Sequence, residues 1–476
     1  MKPNLSLLSR DEAEEIHSEA LRVLGTVGVF FEDKSVEEIV VKAGGVRKDG
    51  RVVLPESLVE DSLKTVPRRI RLFDREGNLV GVLGEGARIF DPGSAAIRIL
   101  DYGSSEPRNP TLIDLKNLVT LVDALPGLRA QSTALMPSDV PVEVRDAVRL
   151  YVVLKYSTKP VVTGAFTVEN LPLMVDMLAS IREDYAEKPF AIFDVCPTPP
   201  LSWSTVTSRN LVDLARLNVP AELISMPGLG ATSPVTIYGA LVQHHAENLS
   251  GIVISQAVRP GAPIIYGGSP TMIHPYYGTA SITSPEAVLI SLGYRDVARL
   301  FDLPTHTYMA LSDSKLVDYQ AGAETTYTAV VAAMAGFDIV SGAGMLEYES
   351  VQSLEKLVLD NEAILVADRL ARGFEKDPAA TQVLGEGVLE KRGNFLAVKH
   401  TRQNYRKEIY IPSIWDLEPR TKTKGVSLLE KAHAKVQEIL AKHTPKGLEG
   451  DQLERLDNVL ARLYELHNLK LVKPNI

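Results

Sequence analysis

The feature that most constrains this chain is an alternation that recurs eight times between residues 88 and 372. A short apolar run ends in small or polar residues, and a longer stretch with helical spacing follows. The runs are 88–90, 128–133, 160–163, 190–195, 221–225, 263–266, 305–308 and 337–341. The helical stretches are 112–124, 142–156, 171–182, 205–217, 235–258, 285–301, 320–335 and 354–372. Apolar runs this short read as strands buried on both faces, and their alternation with helices predicts a parallel sheet. Eight such units in about 280 residues match the (β/α)8 TIM barrel, for which about 250 residues is typical. An open doubly wound sheet is the alternative, because closure is not written in a sequence.

The flanks read differently. Residues 1–86 predict a helical N-terminal cap followed by a hairpin. Ile16, Ala20, Leu21, Leu24 and Val27 fall on one helical face after Ser9-Arg10-Asp11-Glu12. Two more helices are predicted at 34–43 and 55–66, and glycines at 77, 81, 84 and 86 mark the hairpin over 71–86. The barrel would then occupy 87–372. Residues 373–476 predict an irregular segment that includes Phe395, His400 and Trp415, then helices at 427–442 and 451–467. Those two helices would either form an oligomer arm or cover the outside of the barrel.

Composition excludes several classes. Hydrophobic residues at 45% and charged residues at 23% are those of a globular protein. A net charge of −9 argues against a nucleic-acid partner. No apolar run of about 18 residues is present to cross a bilayer, and the N-terminus lacks the apolar core of a signal peptide. The expected location is the cytoplasm. The lone Cys196 excludes an internal disulfide and any multi-cysteine metal centre. With no HExxH and no paired His/Cys spacing, no metal ligated by this chain is expected.

In a barrel, chemistry gathers at the C-terminal ends of the strands. Those ends would present Asp91, Gly93 and Ser94, then Thr163 and Phe166, Asp194 and Cys196, Met226, Gly228 and Gly230, Tyr266 and His274, Tyr308, and Glu347. Aromatic residues are only 6% of the chain, yet Phe166, Trp203, Tyr266, Tyr276, Tyr277 and Tyr308 all fall at this rim. Aromatic faces attract a quaternary ammonium, and Asp194 or Glu347 would add negative charge. His274 is the histidine best placed to touch a substrate. Gly228 and Gly230 either admit something bulky or make a tight turn. The densest polar loop follows strand seven, with Ser312, Asp313, Ser314, Lys315 and Asp318.

That loop also carries a resemblance. Ser312-Asp313-Ser314-Lys315 followed by Asp318-x-Gln320-Ala321-Gly322-x-Glu324 resembles the trimethylamine methyltransferase family. The resemblance extends to the N-terminal L-S-R-D-E-A-E-E-I-H segment and to N-F-L-x-x-x-H-T near the C-terminus. Leu316 and Val317 follow the lysine, both ordinary residues, so the chain is similar to the members that lack pyrrolysine, among them glycine betaine:corrinoid protein methyltransferases. The resemblance implies transfer of a methyl group from a quaternary amine, glycine betaine first, to Co(I) of a cobalamin on a separate corrinoid protein. It also implies a homo-oligomer.

On this reading Phe166, Asp194, His274, Tyr276, Tyr277, Tyr308, Lys315 and Glu347 are the expected substrate contacts. Gly228, Gly230, Ser312 and Asp313 are the expected contacts to the corrin, and no residue is assigned a catalytic role. Two other readings stay open: a Schiff-base aldolase or lyase using Lys315, and a non-catalytic partner of a corrinoid protein.

Overall fold

Every predicted run becomes a short parallel strand. In the computed structural model, which describes residues 1–93, 95–422 and 425–472, these are β1 (Ile89–Asp91), β2 (Gln131–Ser132), β3 (Val161–Thr163) and β4 (Ala191–Val195). They continue as β5 (Ala221–Ser225), β6 (Ile264–Gly268), β7 (His306–Tyr308) and β8 (Ile339–Ser341). Parallel pairing joins β2 through β6 in chain order and β7–β8–β1 in turn. Single parallel bridges, Phe90 with Leu128 and Tyr266 with Thr305, link the two groups. The pairing therefore passes through all eight strands and returns to the first. Ser94 lies outside the described residues.

β2 is shorter than the predicted 128–133. The Arg129 and Ala130 amides both donate to the Phe90 carbonyl, at 3.0 and 3.3 Å. Two residues opposite one break the ladder as a bulge does.

The helices follow the strands as α1 (Leu112–Ala124), α2 (Arg145–Tyr156), α3 (Asn170–Ile181), α4 (Thr205–Leu217), α5 (Ile237–Val258), α6 (Pro285–Leu300), α7 (Tyr319–Ala335) and α8 (Leu354–Arg372). Side-chain caps set several starts: Ser204, Thr236, Ser284, Asp318 and Ser353 each accept a backbone N–H from the first turn. α5 is buried on nearly every side, because the N-terminal helices Arg10–Thr26 and Glu56–Thr65 pack on its outer face. The first of these begins with a capping box formed by Ser9 and Glu12. One apolar cluster runs from Ala13 through the strands and helices to Tyr464.

The period-two alternation of the strands divides the enclosed space into an apolar and a polar half. Ile89, Ala130, Val162, Ile192, Ile265 and Ile339 form a second apolar cluster with Ile70, Leu72 and Leu83. The last three belong to the hairpin Ile70–Phe73/Leu79–Leu83, which thus packs under one end. Two residues further along the strands stand Asp91, Ser132, Gly164, Asp194, Gly267 and Ser341, so the opposite end is polar.

Asp338 fixes the hairpin to the strands. Its carboxylate accepts from the amides of Gly84, Gly86 and Ala87 at 2.8–3.1 Å and from the Thr305 amide at 2.9 Å. Asp338→Ala leaves four backbone donors unpaired, the Thr305 amide fully buried, and is expected to cost about 3 kcal/mol, read as a lower urea midpoint. Asp338→Asn, which keeps one acceptor oxygen, should cost less.

At the C-terminal end, helix Leu428–Lys442 buries Ala432, Val436 and Ile439, and helix Gly450–Leu466 buries Leu456, Val459, Leu460, Leu463 and Tyr464. The first lies on α8 and α1, the second on α3 and α2, so both cover the outside of the βα units. The region predicted to be irregular contains a further helix, Lys399–Glu408, none of whose residues is buried. Its sequence lacks apolar spacing, which is why periodicity did not reveal it. Among the described residues no helix is long and apolar enough to cross a membrane.

Candidate functional site

The polar half holds more titratable groups than a structural core needs. Glu222 on β5 and His306 on β7 are fully buried. His306 Nδ1 lies 2.8 Å from Glu222 Oε1, without the alignment of a hydrogen bond. On its other side His306 Nε2 is 3.1 Å from Ser341 Oγ, and Ser341 donates to Asp91 Oδ2 at 2.7 Å. Burial pushes the carboxyls of Glu222 and Asp91 well up and the imidazole of His306 down to about 3. Burial therefore disfavours the charged form of all three. With Ser341 donating to Asp91, it accepts from His306 Nε2–H, and Nδ1 turns its lone pair toward Glu222.

Above this layer stand further enclosed polar groups. Asp194 on β4 receives the Tyr308 hydroxyl at 3.3 Å on Oδ2, while Oδ1 is enclosed and has no partner. The Asp194 carboxyl is held up at about 8, mainly by burial and next by Glu222. Gly164, at the end of β3, opens the floor. A Cβ built there would meet the Asp194 carbonyl oxygen at 3.8 Å, Asp194 Cβ at 3.9 Å and Phe166 Cε1 at 4.0 Å. Phe166 is 47% exposed, and its ring carries Arg149 Cζ at 4.9 Å from the centroid. Arg149 itself is fully buried on α2.

A third ionisable group comes from the loop after β8. Glu347, Tyr348 and Glu349 follow one another with φ of 46°, 56° and 69°. Three successive non-glycine residues in the left-handed region store strain. The turn carries the Glu349 side chain inward, where Oε1 is enclosed and unpaired. Burial, then Asp194, Asp313 and Asp91, push its carboxyl well up. Lys315 steadies the turn from the neighbouring loop. Its ammonium donates to Tyr348 OH at 2.7 Å and to the Asp313 carbonyl at 2.8 Å, and lies 4.1 Å from the Tyr348 ring centre.

The structure brings together Phe166, Asp194 and Tyr308 of the expected contacts, with Lys315 one residue removed through Tyr348. The other expected contacts lie elsewhere. Tyr276 and Tyr277 stand 84% and 71% exposed. His274 Nδ1 accepts from both their amides at 3.3 Å, so it folds its own loop. Glu347 is half-buried and its amide donates to the Ser314 carbonyl. The charge delivered to the pocket comes from Glu349, two residues on.

Trp203 and Tyr266, predicted at the rim, are core residues. The indole donates to Ser250 Oγ at 2.9 Å, and the phenol meets His245 Nδ1 at 2.9 Å. Tyr266 follows the inward Ile265, so it points outward among the helices. Asp313 accepts from Ser281, Thr283 and the Ile282 amide, and Ser312 donates to Glu324 at 2.6 Å. Both side chains are engaged in holding their loop. Gly228 accepts three amides at its carbonyl, and Gly230 has φ +82°, so these glycines form a tight turn. Burial pushes the Cys196 thiol far up, which removes it as a nucleophile. Among the described residues no three His, Cys, Asp or Glu side chains are grouped to hold a metal ion.

Sequence reading missed Arg149, Glu222 and Glu349. For the first two a signal exists: a charge inside an otherwise apolar run, Ala221-Glu222-Leu223-Ile224 and Ala147-Val148-Arg149-Leu150.

Fold and site together define a parallel α/β protein with enclosed, unpaired carboxyl oxygens at the C-terminal ends of its strands. The chain belongs to the trimethylamine methyltransferase (MTTB) family, whose sequence profile matches residues 1–465, and it is a methyltransferase. It is 30% identical over 470 residues to a glycine betaine methyltransferase of Desulfitobacterium hafniense (strain Y51), covering 97% of each chain. It is likewise 30% identical over 470 residues to the trimethylamine methyltransferase MttB of Methanosarcina thermophila, covering 94% of this chain and 96% of that one. Among solved structures, the Methanosarcina barkeri monomethylamine methyltransferase (MtmB) superposes with a TM-score of 0.51 at 13% identity, over 98% of this chain and 96% of that one. At that identity the likeness concerns the fold alone.

Proposed function

We propose that this methyltransferase takes a methyl group from a quaternary amine, glycine betaine first, and delivers it to cobalamin carried by a separate corrinoid protein. The observation that carries the reading is the pair of enclosed, unpaired carboxyl oxygens, Asp194 Oδ1 and Glu349 Oε1, beside the rings of Tyr308 and Phe166. A buried carboxyl with nothing to pair with is a receptor for a cation, and aromatic faces favour one that cannot donate hydrogen bonds.

Asp194 and Glu349 would hold the ammonium head, with Tyr308 and Phe166 packed on its methyl groups. A quaternary nitrogen departs as a neutral tertiary amine, so this chain need not protonate the leaving group. Its residues fix the N–CH3 direction and keep water out. Cobalamin in its Co(I) state supplies the nucleophile. The rim fits contact with a second protein: Met226, Tyr276, Tyr277, Leu316 and Tyr319 are all exposed, the last by 91%, the first four on loops after the strands and Tyr319 at the start of α7. Gly228, Gly230, Ser312 and Asp313 would shape those loops.

The same reading takes the returning strand pairing as a (β/α)8 barrel over 87–372, with a cap at 1–86 and an extension at 373–476. The exposed Leu384, Leu389 and Leu396 of that extension would meet a second copy of the chain.

A pH dependence follows. Asp194 is largely protonated at pH 7 because burial and Glu222 hold its carboxyl at about 8. Arg149, His306 and Tyr308 face it with the opposite effect, while Asp91 and Glu349 share its negative field. A cation favours the ionised form, so affinity should rise as pH approaches 8 and level off about one unit above. Below pH 8, binding should release a proton. Calorimetry with glycine betaine in buffers of different ionisation enthalpy measures that release directly; binding with no proton exchange at pH 7 would remove Asp194 from the ammonium. The same shift predicts stability that falls between about pH 4 and pH 8, where the native state holds the extra proton.

The Schiff-base reading is less well supported, since the Lys315 ammonium is already bound to Tyr348 and the Asp313 carbonyl. Borohydride trapping of a carbonyl substrate would revive it. The methyltransferase reading itself is tested by proton NMR of glycine betaine incubated with the protein and Co(I) cobalamin. Dimethylglycine should appear; unchanged betaine contradicts it.

A further inference from the structure

Arg149 is the strongest charge at the site that ammonium binding leaves without a task. The guanidinium is fully buried, and burial pulls it down to about 10. Its Nη1 meets Met136 Sδ at 2.9 Å, and its plane carbon lies over Phe166 at 4.9 Å. Nε and Nη2 have no partner. These two atoms form one edge of the planar group, the edge whose parallel N–H bonds take both oxygens of a carboxylate.

The nearby protein carboxylates do not supply those oxygens. Asp146 accepts from the Ala147 amide at 2.8 Å and Asn170 Nδ2 at 2.7 Å on Oδ1, and from the Phe166 amide at 2.8 Å on Oδ2. Asp194 takes the Tyr308 hydroxyl. Phe166 is the shared wall: its face carries Arg149, and its Cε1 edge and Asp194 Cβ converge on the Gly164 floor.

We propose that Arg149 recognises a substrate carboxylate through its Nε/Nη2 edge, which makes it the residue that selects zwitterionic quaternary amines over amines without a carboxylate. This rests on the quaternary-amine reading of the same pocket. A substrate with an ammonium head and a carboxylate a few atoms away would pair both buried charges at once, Asp194 and Glu349 at one end and Arg149 at the other. An amine without a carboxylate leaves the arginine edge unpaired in a dry site, and polar sites reject partners that lack the group they were built to bind.

The test is calorimetric binding to the purified full chain, with no corrinoid protein present. The probes are glycine betaine, choline and tetramethylammonium. Wild type should prefer glycine betaine over both others by about thirtyfold or more. Arg149→Gln should lose about that factor for glycine betaine and hold tetramethylammonium within about threefold, and Arg149→Lys should fall between, because lysine keeps the charge without the fork. Equal binding of glycine betaine and choline by wild type overturns the proposal without any variant needing to fold. A preference for glycine betaine that survives Arg149→Gln also overturns it and leaves the quaternary-amine reading standing. Absence of binding by all three probes overturns both.

Discussion

Asp194→Asn is expected to weaken glycine betaine binding by roughly a hundredfold at pH 8.5, about 3 kcal/mol for removing one partner of a desolvated charge pair. The same substitution should stabilise the free protein. In the absence of ligand Asp194 Oδ1 has no hydrogen-bond partner, and its carboxyl is held far above the ordinary carboxylate range by burial. Ionising it in the folded state is costly, and asparagine removes that cost. Above pH 8 the thermal midpoint of Asp194→Asn should therefore exceed that of wild type while its affinity falls. A site residue that weakens the fold and strengthens the ligand gives this pair of opposite signs. A variant with lower stability and unchanged affinity would place Asp194 in the framework instead.

Gly164→Leu is expected to abolish binding, by more than about a hundredfold, at a cost in stability of about 1–3 kcal/mol. The Cβ position at Gly164 makes only ordinary contacts, 3.8–4.0 Å from Asp194 and Phe166, so Gly164→Ala should be nearly silent. The three further carbons of leucine have to enter the space between Phe166 and Asp194, which is the space assigned to the ammonium head. Binding calorimetry with thermal unfolding separates the outcomes. Leucine tolerated with full affinity would show that the ligand lies elsewhere.

The eight βα units were legible because each short run rich in apolar or β-branched residues is followed by a helical stretch, and several helices open on a capping serine, threonine or aspartate. Boundaries shifted by up to three residues, and only β2 changed character, where Arg129 and Ala130 share one carbonyl.

The site was legible in part, and the reason is geometric. Position at a strand end identifies the rim but does not give the direction of the side chain. Tyr266 and Tyr308 both stand near strand ends, yet Tyr266 alternates outward and Tyr308 inward. Carrying the period-two alternation from Ile192 to Asp194 and from Ile339 to Ser341 would have picked out the polar layer. Tyr276 and Tyr277 were placed by proximity to β6, but their loop closes on His274 and turns both rings to solvent. Glu349 had no signal, since no glycine marks the left-handed turn that delivers it. Lys315 was expected to touch substrate, yet its ammonium meets Tyr348 OH, a long-range partner that no local pattern encodes.

The most direct measurement is anaerobic visible absorbance of Co(I) cobalamin mixed with the protein and a panel of quaternary and tertiary amines. The account predicts loss of the Co(I) band and formation of methyl-Co(III) with glycine betaine, and a much weaker response with carboxylate-free amines. An unchanged Co(I) band with every amine, even after a cognate corrinoid protein is added, would contradict it.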